Sequence, residues 1–254
     1  MNFEQAEANK VIHRAGCDLL DYFLYVEGLV GMMKFHSIAI DGPAGSGKST
    51  VARILAKKLN FLYLDSGAMY RAVAWRSIHL QTDFTDSAAV RQLVQSTHFE
   101  VDHDRLLVNG EYIDDELRTP EVSQRASVVA QNPIVREILV KKQQEIAEDH
   151  HVVMDGRDIG TVVLPNADVK IYLTASIDER AKRRYRELKK KGLEVDLEQL
   201  REDIRQRDEN DQNRLISPLR QAADAIRIDT TNQTIEEVVQ QILAICCTKM
   251  GGEE

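Results

Sequence analysis

The residues best equipped for chemistry are Gly42, Pro43, Ala44, Gly45, Ser46, Gly47, Lys48 and Ser49, followed by Thr50. The first eight match G-x-x-x-x-G-K-[ST], whose glycines admit positive φ and bring backbone N–H groups close around phosphate oxygens. In such a loop the lysine reaches the β and γ phosphates and the final hydroxyl ligates Mg²⁺. At ordinary glycine content a chance match somewhere in a chain of this size is about one in a hundred. The match also lies between an apolar run, His36–Ile40, and a helical pattern carrying Val51, Ala52, Leu55, Ala56 and Leu59. That strand-to-helix setting is what the motif requires. A glycine-rich turn with an exposed lysine is the bland alternative, and it leaves the setting unexplained. A triphosphate site over 42–50 is therefore expected, with Ser49 directly on the metal.

Asp155 closes the apolar run Val152-Val153-Met154, where a carboxylate can hold Mg²⁺ directly or through water. Many strands end in Asp for turn reasons alone. Four polar clusters accompany it. Asp65-Ser66-Gly-Ala-Met-Tyr-Arg71 runs from a strand end into a helix, so Ser66 and nearby N–H groups can hold an anion, with Arg71 on the next turn. Asp155-Gly-Arg157-Asp158-Ile-Gly-Thr161 is a polar loop after a buried strand. Arg180, Arg183 and Arg184 share one helix face, in a stretch from 180 to 191 with eight Lys or Arg against one acid, Glu187. Arg207, Asp211 and Arg214 share another face. Charge runs are commonly solvated helix faces, and the last set can be a simple i, i+4 salt bridge. A one-sign face repels itself unless an anion lies on it, however. Beside a triphosphate loop, so many arginines suit a second phosphorylated substrate.

Missing features narrow the choice. No N/T-K-x-D guanine-reading motif occurs, and 254 residues are few for a large ATPase with a second sensor region. A net charge of −8 argues against a general nucleic-acid binder. Cys17, Cys246 and Cys247 have no metal or disulfide spacing, which suits a reducing compartment, and the seven histidines fall outside every motif.

Positioning these groups takes alternating strands and helices from Phe35 onward, the signature of a parallel sheet with crossover helices. Strands are predicted at His36–Ile40, Phe61–Leu64, Val152–Met154, Val169–Leu173 and Ala225–Ile228. Helices follow the glycine-rich loop as far as Asn60, then span Ser66–Leu80, Pro133 to about His150, Ser176 to near Gly192, and Leu197–Arg214. A capping box, Thr234 with Glu237, opens the last helix. Between about 82 and 132 the pattern changes to a helix capped by Thr85, short strands at Phe99–Val101 and Leu106–Tyr112, and a helix start at Thr119-Pro120. Asn109-Gly110 breaks the second strand as a hairpin turn. An antiparallel insert in a parallel core is expected. Residues 1–33 read either as an extension before a start at Met32 or Met33, or as an amphipathic helix that docks on the domain or a partner. Interrupting acids rule out a membrane span there.

The P-loop, D-S-G-A-M-Y-R at 65–71, D-G-R-D-I-G-T at 155–161 and R-D-x-x-D-x-x-R at 207–214 together closely resemble bacterial cytidylate kinases, from about Lys34 to the C-terminus. The resemblance implies an α/β three-layer P-loop core with a five-stranded parallel sheet over 34–250. It also implies a monophosphate-binding insert at about 82–132 and a short arginine-rich lid at about 177–196. ATP as co-substrate, Mg²⁺, and CMP or dCMP as acceptor follow from it. So does a cytoplasmic monomer with no nucleic-acid or membrane partner. On matching positions, Ser66, Arg71 and Arg157 resemble binders of the acceptor phosphate, and Ser127, Arg136 and Asp158 the cytosine-reading set. Arg207, Asp211 and Arg214 resemble the ribose and phosphate contacts, and Arg180, Arg183 and Arg184 the lid arginines. Lys48, Arg157, Arg180 and Arg184 are thereby expected to serve the transferred group. The chemistry agrees, since Asp158 can accept a hydrogen bond from the 4-amino group of cytosine, where uracil presents an oxygen. Two rivals stay open: another acceptor such as UMP, AMP or a small alcohol, and a binding module without acceptor turnover.

Overall fold

The structure is a computed structural model that describes residues 35–250 except 103 and 191. Both readings of residues 1–33 lie outside these. Five strands form one parallel sheet, β1 (Ser37–Asp41), β2 (Leu62–Asp65), β6 (Val152–Gly156), β7 (Val169–Thr174) and β8 (Ile226–Asp229), in the order β2-β6-β1-β7-β8. The central strands β1 and β6 are buried almost throughout, because helices cover both faces. On one face α1 (Lys48–Leu59) and α8 (Ile235–Met250) pack over Ile38, Ile40, Val153 and Leu173. On the other, α2 (Ser66–His79) and α5 (Pro133–Asp149) cover Ala39, Leu64 and Met154. The α/β three-layer architecture is as expected.

The parallel register brings the functional strand ends level. Ile40 pairs with Asp155, Asp41 with Gly156, and Asp65 with Asp155. The glycine-rich loop, Ser66 and the 155–161 loop thus leave the same carboxyl edge, where open α/β sheets place their ligands.

The segment between α2 and α5 holds α3 (Ser87–Gln95), an antiparallel sheet of β3 (Phe99–Asp102), β4 (Arg105–Val108) and β5 (Glu111–Tyr112), and α4 (Pro120–Val129). Asn109 and Gly110 turn the hairpin with φ of 54° and 81°. Thr119 caps α4 with Pro120 in its first turn, as its sequence indicates. Asp86, not Thr85, caps α3. The Thr85 hydroxyl donates instead to Asp83, two residues back, so a local turn takes the group that a cap would have used.

Helix α6 (Ile177–Lys190) packs against α7 (Leu197–Gln212). The Ser176 hydroxyl accepts from Glu179 N, and Thr234 and Glu237 cap α8 reciprocally. α7 stops at Gln212, so Arg214 does not share a helix face with Arg207 and Asp211. It sits beyond the cap residue Asn213 and donates to Ser217 O. A further difference is a π-helical turn, Ile159–Val163, directly after Asp158, which no local pattern announced.

Gly42 has φ +148°, and a Cβ there would lie 1.9 Å from Leu173 O, whereas at Gly110 (φ +81°) nothing lies within 4 Å. Gly110→Ala should therefore cost about 1–2 kcal/mol in urea denaturation, from backbone strain alone. Gly42→Ala should cost several times as much, because two backbones must separate.

Candidate active site

The donor loop is built from its backbone outward. Gly45 and Gly47 hold φ of 76° and 95°, and Gly47 is the N-cap of α1, so the positive end of that helix faces the loop. Lys48 is buried, with its Nζ donating to Pro43 O at 2.8 Å. Burial and then the neighbouring Arg157 hold its pKa below the usual lysine range, against Asp155 and Asp41. A triphosphate in the loop would supply the anions that restore its full charge. The outer side is braced by Arg183, which donates to Ser46 O at 3.5 Å and Thr230 O at 2.6 Å. The Thr230 hydroxyl donates to Ser46 O at 3.1 Å.

Asp155 joins the two halves of the site. Its Oδ2 accepts from the Ser49 hydroxyl at 2.9 Å, its Oδ1 from the Tyr63 hydroxyl at 2.7 Å, and its carbonyl from Ser66 Oγ at 2.7 Å. Burial, then the nearby Asp65, pushes its carboxyl above the usual range. A hydroxyl and a carboxylate side by side are hard oxygen donors that suit Mg²⁺, which takes one or two protein groups and completes its shell with phosphate and water. Among the described residues no group of three or more His, Cys, Asp or Glu could hold a metal alone.

Across the cleft three of the arginines are held by carboxylates. Arg71 donates to Asp65 Oδ2 at 2.8 Å, and Arg157 Nε to Asp211 Oδ2 at 2.8 Å. Arg136 and Asp158, both buried, form an ion pair, and Arg136 also donates to Ala130 O and lies over the Tyr70 ring. Desolvation raises the Asp211 carboxyl, but Arg157, Arg214 and Arg207 outweigh it and hold the pKa down. Arg207 is pushed down to about 10 by desolvation and then by Arg157, with Arg71 and Arg184 adding and Asp211 opposing. Such crowded cations call for an anion.

One cleft of about 1130 Å³ is lined by Lys48, Ser49, Ser66, Arg71, Arg157 and Asp158 together with residues of α4, α6 and α7. Ser127 also lines it and is exposed, with its hydroxyl near Ser123 O, and so do Arg207, Asp211 and Arg214. Arg183 and Arg184 line the same cleft, and Arg184 pairs with Glu187. Arg180 sits apart from Arg183 and Arg184. It is buried, donates to Ala175 O and Ala44 O, both at 3.0 Å, and pairs with Asp208 at 2.6 Å. Its guanidinium ties α6 to the donor loop and to α7.

Three participants were not singled out from the sequence. Asp41 ends β1 and accepts from Ile159 N at 2.8 Å and Gly160 N at 2.7 Å, so it anchors the π-helical turn behind Asp158. Tyr63 and Asp208 were read only as strand and helix residues. An acid at the end of a strand bordering the loop was a usable signal for Asp41. For Tyr63 and Asp208 none exists without the tertiary contact.

A P-loop at the carboxyl edge of a parallel sheet, opening into a cleft that it shares with a bank of paired arginines, defines a P-loop kinase. The family model described as cytidylate kinase matches residues 38–248. A cytidylate kinase of Bacillus velezensis is 52% identical over 218 residues, covering 84% of this chain and 97% of that protein. One of Bacillus cereus is 48% identical over the same shares. A solved shikimate kinase of Acinetobacter baumannii aligns at TM-score 0.44 and 18% identity, covering 85% of this chain and 94% of that one. The chain belongs to the cytidylate kinase family.

Burial raises the Asp41 carboxyl to about 6, partly offset by the two backbone N–H donors. A carboxyl raised on folding binds its proton more tightly in the native state, so stability falls as pH rises from the unfolded value towards the folded one. Urea unfolding of wild type relative to Asp41→Asn should therefore lose up to about 3 kcal/mol between pH 4 and 7. A pH-independent difference would contradict this.

Proposed function

We propose that the protein transfers the γ-phosphoryl group of ATP to CMP and dCMP, giving ADP and CDP or dCDP. Family membership supports the reaction class. The observation that carries the acceptor is the buried Arg136–Asp158 pair on the arginine side of the cleft. Asp158 has a second carboxylate oxygen for the 4-amino group of cytosine, and Arg136 Nε is a buried donor with no hydrogen-bond partner among the described residues. Uracil would turn an acceptor towards the same carboxylate, and a site built for a donor rejects its lack strongly.

The nucleophile is an oxygen of the acceptor phosphate, already ionised at neutral pH, so no general base is needed. Arg71, Arg157 and Ser66 hold that phosphate in line with the donor, and Ser127 adds a hydroxyl on the base side. Arg207, Asp211 and Arg214 position the ribose and phosphate. Lys48 and Arg184 neutralise charge on the moving group, which is most of what phosphoryl transfer asks of a protein. Arg180 contributes by holding the loop backbone. Closure over the cleft excludes water that would otherwise hydrolyse ATP. Ser49, and Asp155 directly or through water, would hold Mg²⁺, which supplies charge neutralisation across the β and γ phosphates.

Among the described residues no helix is long and apolar enough to cross a membrane. We expect a cytoplasmic monomer without a membrane partner, and the net charge of −8 argues against general nucleic-acid binding.

Lys48→Ala should lower kcat at least about 100-fold in a coupled ADP-release assay with CMP, the usual cost of one transition-state charge donor. With CMP, dCMP, UMP and AMP as a panel, the wild type should prefer the cytidine acceptors. Asp158→Ala should then narrow the CMP-over-UMP ratio of kcat/KM at least about tenfold. An unchanged ratio would refute the base-reading role. ATP binding without CMP-stimulated ADP release would instead favour a binding module.

A further inference from the structure

Asp155 stands where the donor loop, the acceptor loop and the metal position meet, yet nothing covalent fixes which of its oxygens faces the nucleotide. The strand pattern shows what does. Tyr63 on β2 and Val153 on β6 are paired, and both belong to the core on the α1 side of the sheet. Asp155 lies two residues beyond Val153, so it projects to the same side, towards Ser49 on α1. The Tyr63 ring is packed beneath α1 with only 3% of the residue exposed, and the Arg53 guanidinium lies over it at 5.3 Å from the ring centroid. Its hydroxyl reaches the end of the neighbouring strand and donates to Asp155 Oδ1 at 2.7 Å. One carboxylate oxygen is thereby taken from inside the core. Oδ2, 2.9 Å from the Ser49 hydroxyl, is left on the side of the loop.

We infer that Tyr63 is a positioning residue for the metal-bound nucleotide, holding the Asp155 carboxylate so that Oδ2 is presented beside Ser49. This rests on the reading of Ser49 and Asp155 as the Mg²⁺ position. The alternatives for Tyr63 are weaker. A buried phenol needs a hydrogen-bond partner, but a backbone carbonyl would satisfy it equally and would leave the carboxylate free to turn. A purely space-filling aromatic would need no hydroxyl. Without the phenol hydrogen that carboxylate oxygen would lose the contact that fixes it, and the group could rotate about its last bond. A hydrogen bond from the partner of a ligating carboxylate typically sets metal affinity by about 10–100-fold.

The test is Tyr63→Phe, which keeps the ring, its packing and the Arg53 contact and removes one oxygen. Calorimetry would give the Kd for a non-hydrolysable ATP analogue with excess EDTA and with saturating Mg²⁺, for wild type and variant, with thermal melts confirming that both are folded. The expected result is a gain in affinity on adding Mg²⁺ that is about tenfold smaller in the variant, with the metal-free Kd unchanged within twofold. In steady state kcat should fall while KM for CMP stays the same, because the acceptor side is untouched. A Mg²⁺ gain equal in the two proteins overturns the inference while leaving the metal position intact. Equal weakening with and without Mg²⁺ also overturns it, since that is what a merely structural tyrosine would give. If the wild type shows no Mg²⁺ gain, the metal position itself fails and the inference falls with it. If Tyr63→Phe does not fold, Asp155→Asn provides the same comparison with Tyr63 in place. It should shrink the Mg²⁺ gain at least as much, and a full gain in that variant overturns the inference.

Discussion

A concentration of cations large enough to neutralise two phosphate chains has to be kept in one cleft while those phosphates are absent. Everything on the carboxyl edge of the sheet answers to that constraint. Arg71, Arg136, Arg157 and Arg180 are each matched by an acid on the same or an adjacent element, Asp65, Asp158, Asp211 and Asp208. Breaking a buried pair by removing one partner leaves an uncompensated charge and is strongly destabilising. The acids therefore keep the arginines in the cleft as much as they serve chemistry of their own. Arg207 shows the tension, crowded by other cations and lowered in pKa.

The pairing also explains how the two halves of the site are joined. Arg180 spans α6, the carbonyl of Ala44 in the donor loop and Asp208 of α7, which also carries Arg207 and Asp211. Asp41 stands immediately before that loop and binds the turn that follows Asp158. Asp155 holds Ser49 with its side chain and Ser66 with its carbonyl. Donor and acceptor elements thus share three fixed points, so a triphosphate settling into the loop and a monophosphate settling opposite it act on one connected frame.

Much of this was legible in the residues. The loop over 42–49 is local, because its φ values, its lysine and the helix behind it all come from consecutive positions. The five strands were placed to within a residue or two for the same reason, and so were the Thr119 and Thr234 caps. Arg214 was put on a helix face because the spacing allows it, and nothing local marks Asn213 as the end. Thr85 lost its cap because Asp83 offered a nearer partner and Asp86 a better acceptor. Arg180 shows the larger limit. Its spacing matches Arg183 and Arg184, yet burial against Ala44 and Asp208 separates it from them, and burial is a property of the assembled fold. The Tyr63 contact is likewise a consequence of strands brought side by side across 92 positions of sequence, and the anchoring of the π-helical turn by Asp41 reaches across 118.

The central claim is that the connected cleft passes phosphate from ATP to a cytidine monophosphate rather than to water. Phosphorus NMR of the wild-type protein with ATP, Mg²⁺ and CMP reads both fates in one sample. The expected spectrum gains CDP and ADP together, one for one, with inorganic phosphate not rising above the enzyme-free control. Inorganic phosphate accumulating with ADP while CMP remains unconsumed would contradict it.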